Sequence, residues 1–485
     1  MRTTLWIAAL AASAQEPAAP LGAESRAAAA TLPSPVATRF ELGQRLRELE
    51  RAWMGCVDTV RRTEATPLIE QAIQKFFLLG GDATVAPMDA ALALLRGEAA
   101  TPARLWAGAV AADLAPFVLE AEPTRAHCRV RLLYELEAER PNLQLELRRA
   151  PGEAPLAVVE HAERGGEVEF PLPKEEPGDR HLTATLLCEG APIRSFAISY
   201  SRVTNAKERL QALSGSVRSA AAAQLDGETL RGRLRDLEQM LAGSRLETAV
   251  PFHELLLQTE SDAAAVAAGR PLPLPAGRDL RLSVPRPKGG STPARAWISS
   301  PDAPVLVVTL HGAGGSANMF FDAYGDGLAV RLARERGWNV VAPTVPPGGA
   351  FVADAITLLQ QRTSPKAAQI ILVGHSMGAM TAGVLVSREP RRYLAAVEIA
   401  GAGFGDAAAA ARVPHFLATA EKDFARGQVD ALARALEKLG GRVEYRRYGS
   451  DHLMVVPDAL PDAFRWLDGL LTEAASKPAS ADRDK

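Results

Sequence analysis

The stretch Ile370-Ile371-Leu372-Val373-Gly374-His375-Ser376-Met377-Gly378 decides the fold of this chain. An apolar run leads directly into a Gly-x-Ser-x-Gly turn, and a helical pattern begins at Ala379. A strand, this turn and a helix in sequence predict a nucleophile elbow, where a serine on a strained turn holds its hydroxyl clear of the sheet. Small residues are needed at Gly374 and Gly378 because strand and helix pass closely there. Ser376 is therefore the candidate nucleophile.

Strand and helix patterns alternate on both sides of this stretch, from about Leu280 onward. Continuous apolar strands alternating with amphipathic helices are typical of a mostly parallel sheet covered on both faces, so we predict an α/β fold. The predicted strands span residues 280–284, 295–298, 305–310, 339–342, 370–373, 395–399, 416–420 and 443–448, and the predicted helices span residues 326–335, 353–362, 379–387, 429–439 and 459–471.

This pattern resembles the α/β-hydrolase superfamily over about residues 278–472, because the elbow follows the fifth of eight strands. The run Leu310-His311-Gly312-Ala313-Gly314-Gly315 looks like the His-Gly loop after the third strand of that fold. The closest likeness is to single-domain esterases and to the catalytic domain of prolyl-oligopeptidase-type enzymes. Residues 1–270 lie outside the resemblance.

The order of three polar residues predicts a catalytic triad. A serine hydroxyl becomes a good nucleophile only when a base takes its proton, and that base must be oriented by a carboxylate. In the α/β-hydrolase fold the chain order is Ser, acid, His. Here Ser376 is followed by Asp423 and then by His452, and each lies past the carboxyl end of a predicted strand, where such sheets place their ligands. Glu421, Asp451 and Glu398 are rival acids near strand ends, and Asp423 is preferred.

Two amide groups are expected to hold the oxyanion of the tetrahedral intermediate. One belongs to Met377, the residue after the nucleophile, and the other to Ala313 in the His-Gly loop. His311, Gly312 and Gly314 of the same loop are expected to contact the substrate. Large apolar side chains in nearby loops are expected to rim the site and to suit an apolar acyl or alcohol group. Phe320, Phe404 and Phe424 are the candidates for substrate binding, with Met319, Phe321, Phe351 and Leu453 beside them.

Composition narrows the class of partners. The 485 residues carry 55 Lys+Arg and 57 Asp+Glu, a net charge of −2, and no basic run, so nucleic acid is not expected as a partner. No stretch reaches the roughly 18 uninterrupted apolar residues of a membrane helix. No pair of Cys or His residues has the spacing of metal ligands, and the predicted chemistry needs no cofactor. Of three cysteines, Cys56 is expected to be a buried thiol, and a bridge between Cys128 and Cys188 is considered.

Seven further segments are predicted. Residues 1–14 have the order of a secretory signal peptide, which implies a secreted or periplasmic protein. A disordered leader follows at residues 15–35, and residues 473–485 are predicted to be a disordered tail. Apolar residues at helical steps predict helical regions at 36–120 and 205–270, and period-two alternation predicts an immunoglobulin-like β-sandwich at 121–204, inserted between two halves of one helical unit. Residues 271–277 form a Pro-rich linker.

The sequence predicts a secreted serine hydrolase that cleaves a small ester with an apolar group. A peptidase of the prolyl-oligopeptidase type would use the same three residues. A third possibility is a binding or scaffold protein with an inert hydrolase domain, in which the sandwich binds a glycan or a protein partner.

Overall fold

The computed structural model describes residues 37–79, 82–218, 225–346, 349–363, 368–403 and 405–476. The predicted signal peptide (residues 1–14), the predicted leader (residues 15–35) and most of the predicted tail lie outside these ranges. Residues 473–476 of that tail belong to a helix. No helix within the described ranges has both the length and the apolar character needed to cross a membrane.

Four helices come first: α1 (Arg39–Gly55), α2 (Thr59–Leu79), α3 (Asp82–Arg96) and α4 (Pro102–Ala109). At the start of α1 the Glu41 carboxylate accepts the amide hydrogen of Thr38 at 2.8 Å, which satisfies a backbone donor that no helical carbonyl can reach. Leu49 and Trp53, from the predicted apolar stripe of α1, are 0% and 1% exposed. They form a core with residues of α2 and α3.

Residues 110–203, all of them described, form two sheets. One sheet has the order β1-β3-β6 and the other has the order β2-β8-β7-β4-β5. Alternate residues of the fourth strand are buried, as period-two patterning requires. The strands are β1 (Val110–Leu114), β2 (Val118–Glu120), β3 (Thr124–Leu132), β4 (Leu143–Arg148), β5 (Ala157–Val159), β6 (Gly166–Leu172), β7 (Gly178–Cys188) and β8 (Ala191–Val203).

The first helical region ends earlier than predicted. Strands β1 and β2 fall within residues 36–120, which were assigned to helices. β1 pairs antiparallel with β3, from Val110 opposite Leu132 to Leu114 opposite Cys128. This pairing with a later strand outweighs the local helical spacing. The immunoglobulin-like character of the two sheets stays a prediction.

Three helices follow: α5 (Ala206–Arg218), α6 (Leu225–Leu241) and α7 (Phe252–Ala267). An almost fully buried ion pair joins two of them, with Arg233 Nη1 on α6 at 2.6 Å from Asp262 Oδ2 on α7. The predicted Pro-rich linker comes next and is packed against the protein. Its Leu272 amide donates to Asp226 at 3.0 Å, and its Leu272 carbonyl accepts from Arg362 at 3.0 Å.

The carboxy-terminal part has the predicted α/β-hydrolase fold. Its eight-stranded sheet has the order β16-β15-β14-β13-β11-β12-β10-β9. Strand β10 runs in the opposite direction to the other seven strands. The strands are β9 (Asp279–Pro285), β10 (Ser291–Trp297), β11 (Val305–Leu310), β12 (Asn339–Pro343), β13 (Gln369–His375), β14 (Tyr393–Ile399), β15 (His415–Lys422) and β16 (Val443–Asp451). The helices are α8 (Met319–Asp322), α9 (Tyr324–Glu335), α10 (Val352–Thr363), α11 (Met377–Arg388), α12 (Ala407–Ala410), α13 (Arg426–Lys438) and α14 (Val455–Ser476).

The two helical groups pack at opposite edges of this sheet. Helices α1 and α2 contact α9, α14 and β16, whereas α6 packs on β9. The Trp53 indole on α1 donates to Asp458 on α14 at 3.1 Å. The Thr229 hydroxyl on α6 accepts the Ser283 amide on β9 at 3.0 Å. The prediction of one helical unit interrupted by a sandwich is therefore wrong, because the two groups pack on different parts of the α/β domain.

The three cysteines are free. Cys56 is buried at the end of α1, as predicted. Cys128 lies on β3 and Cys188 ends β7, so the two belong to different sheets. The bridge considered between them is not formed.

Candidate active site

Ser376 lies on a strained turn between β13 and α11. Its backbone has φ 53° and ψ −116°, in a region that residues with a side chain rarely adopt. The Ser376 amide donates to the Ile399 carbonyl at 2.9 Å, which anchors the turn on β14. A β-carbon at Gly374 would lie 2.4 Å from the backbone of Gly378, so no larger residue fits without displacing the chain. The sharp turn leaves the hydroxyl free to point at a base.

The imidazole of His452 lies between Ser376 and Asp423. Its Nε2 lies 3.0 Å from Ser376 Oγ, and its Nδ1 lies 2.8 Å from Asp423 Oδ1. When Nδ1–H donates to the carboxylate, Nε2 is the nitrogen that can accept the serine proton. The structure therefore brings together the three residues predicted from chain order.

Asp423 is held as an acceptor for the imidazole. Its Oδ1 also accepts the Ala425 amide at 2.8 Å, and its Oδ2 accepts the Thr419 hydroxyl at 3.0 Å. Burial alone would raise the pKa of Asp423, but the hydrogen bond and charge of His452, followed by these two donors, lower it below its usual value. The carboxylate stays ionised and can orient His452.

The three rival acids have other partners. Asp451 Oδ1 accepts the amides of Leu453 and Met454 at 2.8 and 3.0 Å, and burial raises the pKa of Asp451 to about 6. Glu398 is fully buried and bonds His415 Nδ1 at 2.9 Å. Glu421 has an exposed side chain at the end of β15. None of them hydrogen-bonds the imidazole of His452 in the described structure.

Two amide groups next to Ser376 are free to donate. Met377 is the first residue of α11, and Ala313 lies in the loop after β11. Within the described residues, neither amide donates to a protein acceptor. A β-carbon at Gly312 would lie 3.3 Å from the β-carbon of Ser376, so the His-Gly loop lies directly against the elbow. The role of these two amides as an oxyanion site stays a prediction.

His311 shapes the His-Gly loop and is buried away from solvent. Its Nε2 accepts the Val345 amide at 2.9 Å, so Nδ1 carries the proton and donates to the Gly312 carbonyl at 2.7 Å. Burial lowers the pKa of His311. With 3% exposure and both nitrogens engaged, it has no group for a substrate, and its predicted substrate contact is wrong.

Gly314, a second predicted contact in this loop, meets the amino-terminal helices. It has φ 75°, and its carbonyl accepts a hydrogen bond from Arg39 at the start of α1. A β-carbon at Gly314 would lie 2.6 Å from the ring of Phe76 on α2, so this helix covers the outer side of the loop. The sequence offered no signal for this contact, because Phe76 reads as part of a helical packing stripe.

The aromatic candidates for substrate binding have different environments. Phe320 is 1% exposed and packs edge-on against Tyr324 with ring centroids 4.7 Å apart, so its predicted contact with substrate is wrong. Phe424 is 71% exposed, and its ring stacks on His452 at 4.0 Å. Phe404 lies outside the described residues. Of these three, Phe424 is the one with an apolar surface shown at the triad.

Two buried residues that the predicted triad did not include connect its parts. The Tyr324 hydroxyl lies 2.6 Å from His375 Nδ1, and His375 Nε2 lies 2.9 Å from the carbonyl oxygen of His452. Burial, and then the charge of His452, lowers the pKa of His375 to about 3, so its ring is neutral. A carbonyl only accepts, so Nε2–H donates to His452 and Nδ1 accepts from Tyr324. The Gly325-x-Gly327 spacing after Tyr324 was the available signal for an unusual turn.

The Alpha/beta hydrolase family matches residues 307–481. No curated protein matches the sequence. A solved mutant of the feruloyl esterase module from Clostridium thermocellum is 15% identical, with a TM-score of 0.34, and the match covers 44% of this chain and 93% of that chain. A thermostable esterase is 14% identical, with a TM-score of 0.37, and the match covers 74% of this chain and 99% of that chain.

An S-formylglutathione hydrolase from Agrobacterium tumefaciens is also similar, at 14% identity and a TM-score of 0.34, with 41% of this chain and 98% of that chain covered. The family match begins within β11 and includes the elbow, Asp423 and His452. The strand order places that elbow after the fifth strand of the sheet. The carboxy-terminal part of this chain is an α/β-hydrolase domain.

Proposed function

We propose that this protein is a serine hydrolase that cleaves carboxylic esters through an acyl-enzyme. The observation that carries the proposal is the continuous set of contacts from Asp423 through His452 to Ser376, at 2.8 and 3.0 Å. A serine hydroxyl by itself is a weak nucleophile, and this arrangement supplies both the base and the group that orients the base. It needs no cofactor for the steps that follow.

Ser376 Oγ attacks the ester carbonyl carbon while its proton passes to His452 Nε2. The carbonyl oxygen becomes an oxyanion, which accepts hydrogen bonds from the amides of Met377 and Ala313. The C–O bond to the alcohol then breaks, and His452 gives its proton to the leaving oxygen. Water, deprotonated by His452, attacks the acyl-serine, and the second collapse returns the proton to Ser376. Asp423 stabilises the imidazolium in both halves of the reaction.

The exposed ring of Phe424 supports an apolar substrate group. It stacks on the imidazole that protonates the leaving group, so an apolar alcohol or acyl group bound beside His452 would cover it. An aromatic face in such a position favours apolar or aromatic groups over charged ones. We therefore propose small esters with an apolar group as the substrate class.

Export and additional partners are further parts of the proposal. The positive start, apolar core and Ala12-Ser13-Ala14 site of the predicted signal support a secreted or periplasmic location. The two sheets of residues 110–203 are proposed to bind a glycan or a protein. Cleavage after Ala14, read by amino-terminal sequencing of exported protein, tests the location.

The function is tested with Ser376→Ala and a fluorophosphonate probe. Ser376→Ala is expected to lower kcat for a p-nitrophenyl ester by several orders of magnitude, on the order of 10⁶ where such triads have been dissected. The probe is expected to label the wild type at Ser376 and leave the variant unlabelled. Ser387→Ala is the matched control, because this serine lies on the same helix and its hydroxyl bonds the Val384 carbonyl at 2.8 Å.

Three outcomes would contradict the proposal. Ester turnover that persists in Ser376→Ala would remove the triad assignment. Wild-type protein that is folded yet unlabelled would favour an inert hydrolase domain. Faster cleavage of a peptide amide than of the matched ester would favour a peptidase.

A further inference from the structure

The segment that carries Tyr324 is a left-handed turn. Residues 324, 325, 326 and 327 have φ values of 48°, 80°, 62° and 71°. Glycine adopts this conformation readily, but for Tyr324 and Asp326 it is sterically unfavourable. Such a turn persists only where its surroundings hold it in place.

Glu50, on α1, holds this turn. Its Oε1 accepts the amide of Tyr324 at 2.9 Å and its Oε2 accepts the amide of Gly325 at 3.1 Å. The side chain is 0% exposed, so water cannot replace either bond. The two amides would otherwise be buried donors without acceptors, which proteins rarely tolerate. A residue of the amino-terminal helices therefore determines the conformation of a turn in the hydrolase domain.

The turn directs the Tyr324 hydroxyl at the elbow. Tyr324 is 2% exposed, and Phe320 supports its ring from one side. The hydroxyl donates to His375 at 2.6 Å and accepts the Gly312 amide of the His-Gly loop at 3.4 Å. His375 in turn donates to the carbonyl of His452. A buried series of hydrogen bonds thus joins the His-Gly loop, the elbow and the segment that carries His452.

We propose that Glu50 and Tyr324 are positioning residues of the active site, which hold His452 at reacting distance from Ser376 through the ring of His375. The proposal rests on the proposed serine-hydrolase function. It makes α1 part of the catalytic apparatus, although no residue of α1 touches the reacting atoms.

Positioning by this route differs from ordinary packing. His375 directly precedes Ser376 in the chain, so its bond to the His452 carbonyl fixes one triad residue relative to the other. Without the Tyr324 hydroxyl, Nδ1 of His375 has no donor and the ring is free to take the other tautomer or rotate. The His452 segment can then drift from Ser376. Misplacement by about 1 Å can lower turnover about 100-fold, without any effect on substrate affinity.

The decisive variant is Tyr324→Phe, which removes the hydroxyl and keeps the ring that packs on Phe320. We expect kcat for a p-nitrophenyl ester to fall about 10- to 100-fold with KM unchanged. Glu50→Gln keeps one carbonyl acceptor and loses the other, so a smaller fall of about 3- to 10-fold is expected. All kcat values are divided by the concentration of sites that a fluorophosphonate probe titrates, which removes any contribution from unfolded protein.

Two matched controls are available. Tyr393→Phe removes a hydroxyl that is buried and has no hydrogen-bond partner in the described structure. Glu64→Gln removes a carboxylate charge from an exposed position on α2. Both controls are expected to keep the wild-type kcat and KM.

The outcomes separate this proposal from the function on which it rests. A kcat per titrated site within twofold of the wild type in Tyr324→Phe would overturn the positioning role, even if the thermal midpoint fell, because the residue would then be merely structural. A rise in KM at constant kcat would also overturn it. Turnover that survives Ser376→Ala would remove the proposed function itself. A lower kcat with unchanged KM in Tyr324→Phe, beside an inactive Ser376→Ala, is the supporting result.

Discussion

Two groups of amphipathic helices flank opposite edges of one sheet, and they relate differently to the triad. Helices α1–α3 share their core with Met454, two residues past His452, and bond α14 through Trp53. Helices α5–α7 pack on β9 and on each other. The loop after α6 reaches the segment that follows the His-Gly loop, where the Glu247 carboxylate accepts from Asn318 at 2.8 Å.

The comparison shows that similar apolar stripes can serve different purposes. Both groups supply buried leucines and a buried acidic side chain. In the first group the buried carboxylate of Glu50 bonds the turn next to the elbow. In the second, Asp262 bonds Arg233, within the helical group itself. Changes in the first group should alter turnover and stability, and changes in the second should alter stability alone.

The largest fall in kcat within this comparison is expected at Asp423, near the sheet edge that the first group of helices adjoins. Asp423→Asn removes the charge that orients His452 and favours the wrong tautomer, so kcat should fall roughly 10⁴-fold. The buried amide still fits the space, so the unfolding transition should remain cooperative. Steady-state kinetics and circular dichroism measure the two properties. A fall below tenfold would mean that another acid, such as Asp451, orients the imidazole.

In the second group of helices, we expect a large fall in the free energy of unfolding and an unchanged kcat. Asp262→Asn removes the carboxylate that pairs with the buried Arg233 guanidinium, which should lower the free energy of unfolding by about 3–5 kcal/mol. Glu260→Gln is the control, since its ion pair with Arg209 is partly exposed and should contribute about 0–1 kcal/mol. Denaturant unfolding and kcat per titrated site are the measurements. A changed kcat in Asp262→Asn would break the contrast between the two groups.

A pair of truncations compares the groups directly. Met454 and Leu237 are both 0% exposed, one in the core of α1–α3 and the other on α6. Truncation of either to alanine should lower the free energy of unfolding by about 2–5 kcal/mol. Met454→Ala should also lower kcat, because the cavity lies beside the His452 segment, whereas Leu237→Ala should not. Equal kcat values per titrated site would show that apolar packing does not position the base.

The smallest effect is a pH dependence of stability at Glu50. Burial raises the pKa of Glu50 to about 8, with a smaller contribution from Asp326 and against the opposing effects of the Gly325 and Tyr324 amides and of Arg47. Between pH 4.5 and about 8 the folded state therefore binds more protons than the unfolded state, and stability falls as pH rises through this range. Glu50→Gln has no group that titrates at this position. Its free energy of unfolding should be about 1 kcal/mol below that of the wild type at pH 5, and this difference should be smaller at pH 9. A stability difference between the wild type and Glu50→Gln that grows as pH rises would contradict this prediction.

The triad could be predicted because its positions follow from local pattern. Each of Ser376, Asp423 and His452 comes at or just after the end of a predicted strand, and parallel strands bring such ends to one edge of the sheet. Chain order alone does not separate Asp423 from Glu398, Glu421 and Asp451, which also lie between Ser376 and His452. The advantage of Asp423 over Asp451 is geometric, because a residue adjacent to His452 cannot easily reach the far nitrogen of the ring.

Other features depend on contacts that no local pattern encodes. Glu50 and Tyr324 lie 274 positions apart, and nothing in the spacing of α1 marks one glutamate as buried. Phe320 was expected at the site because it lies in a loop, but α8 turns its ring into the core. Val110 to Leu114 continue a helical composition and become a strand only through pairing with β3. These outcomes are decided by tertiary partners, which override local propensity.

The indole bond from Trp53 to Asp458 has a consequence for biosynthesis. It joins residues 405 positions apart, and closing so long a loop is slow relative to local pairing. The first helix leaves the ribosome long before the last one, so their junction is completed only when translation of the described chain is nearly finished. Hydrolytic competence of a nascent molecule should therefore arise in a late step, after most of the sheet has already formed.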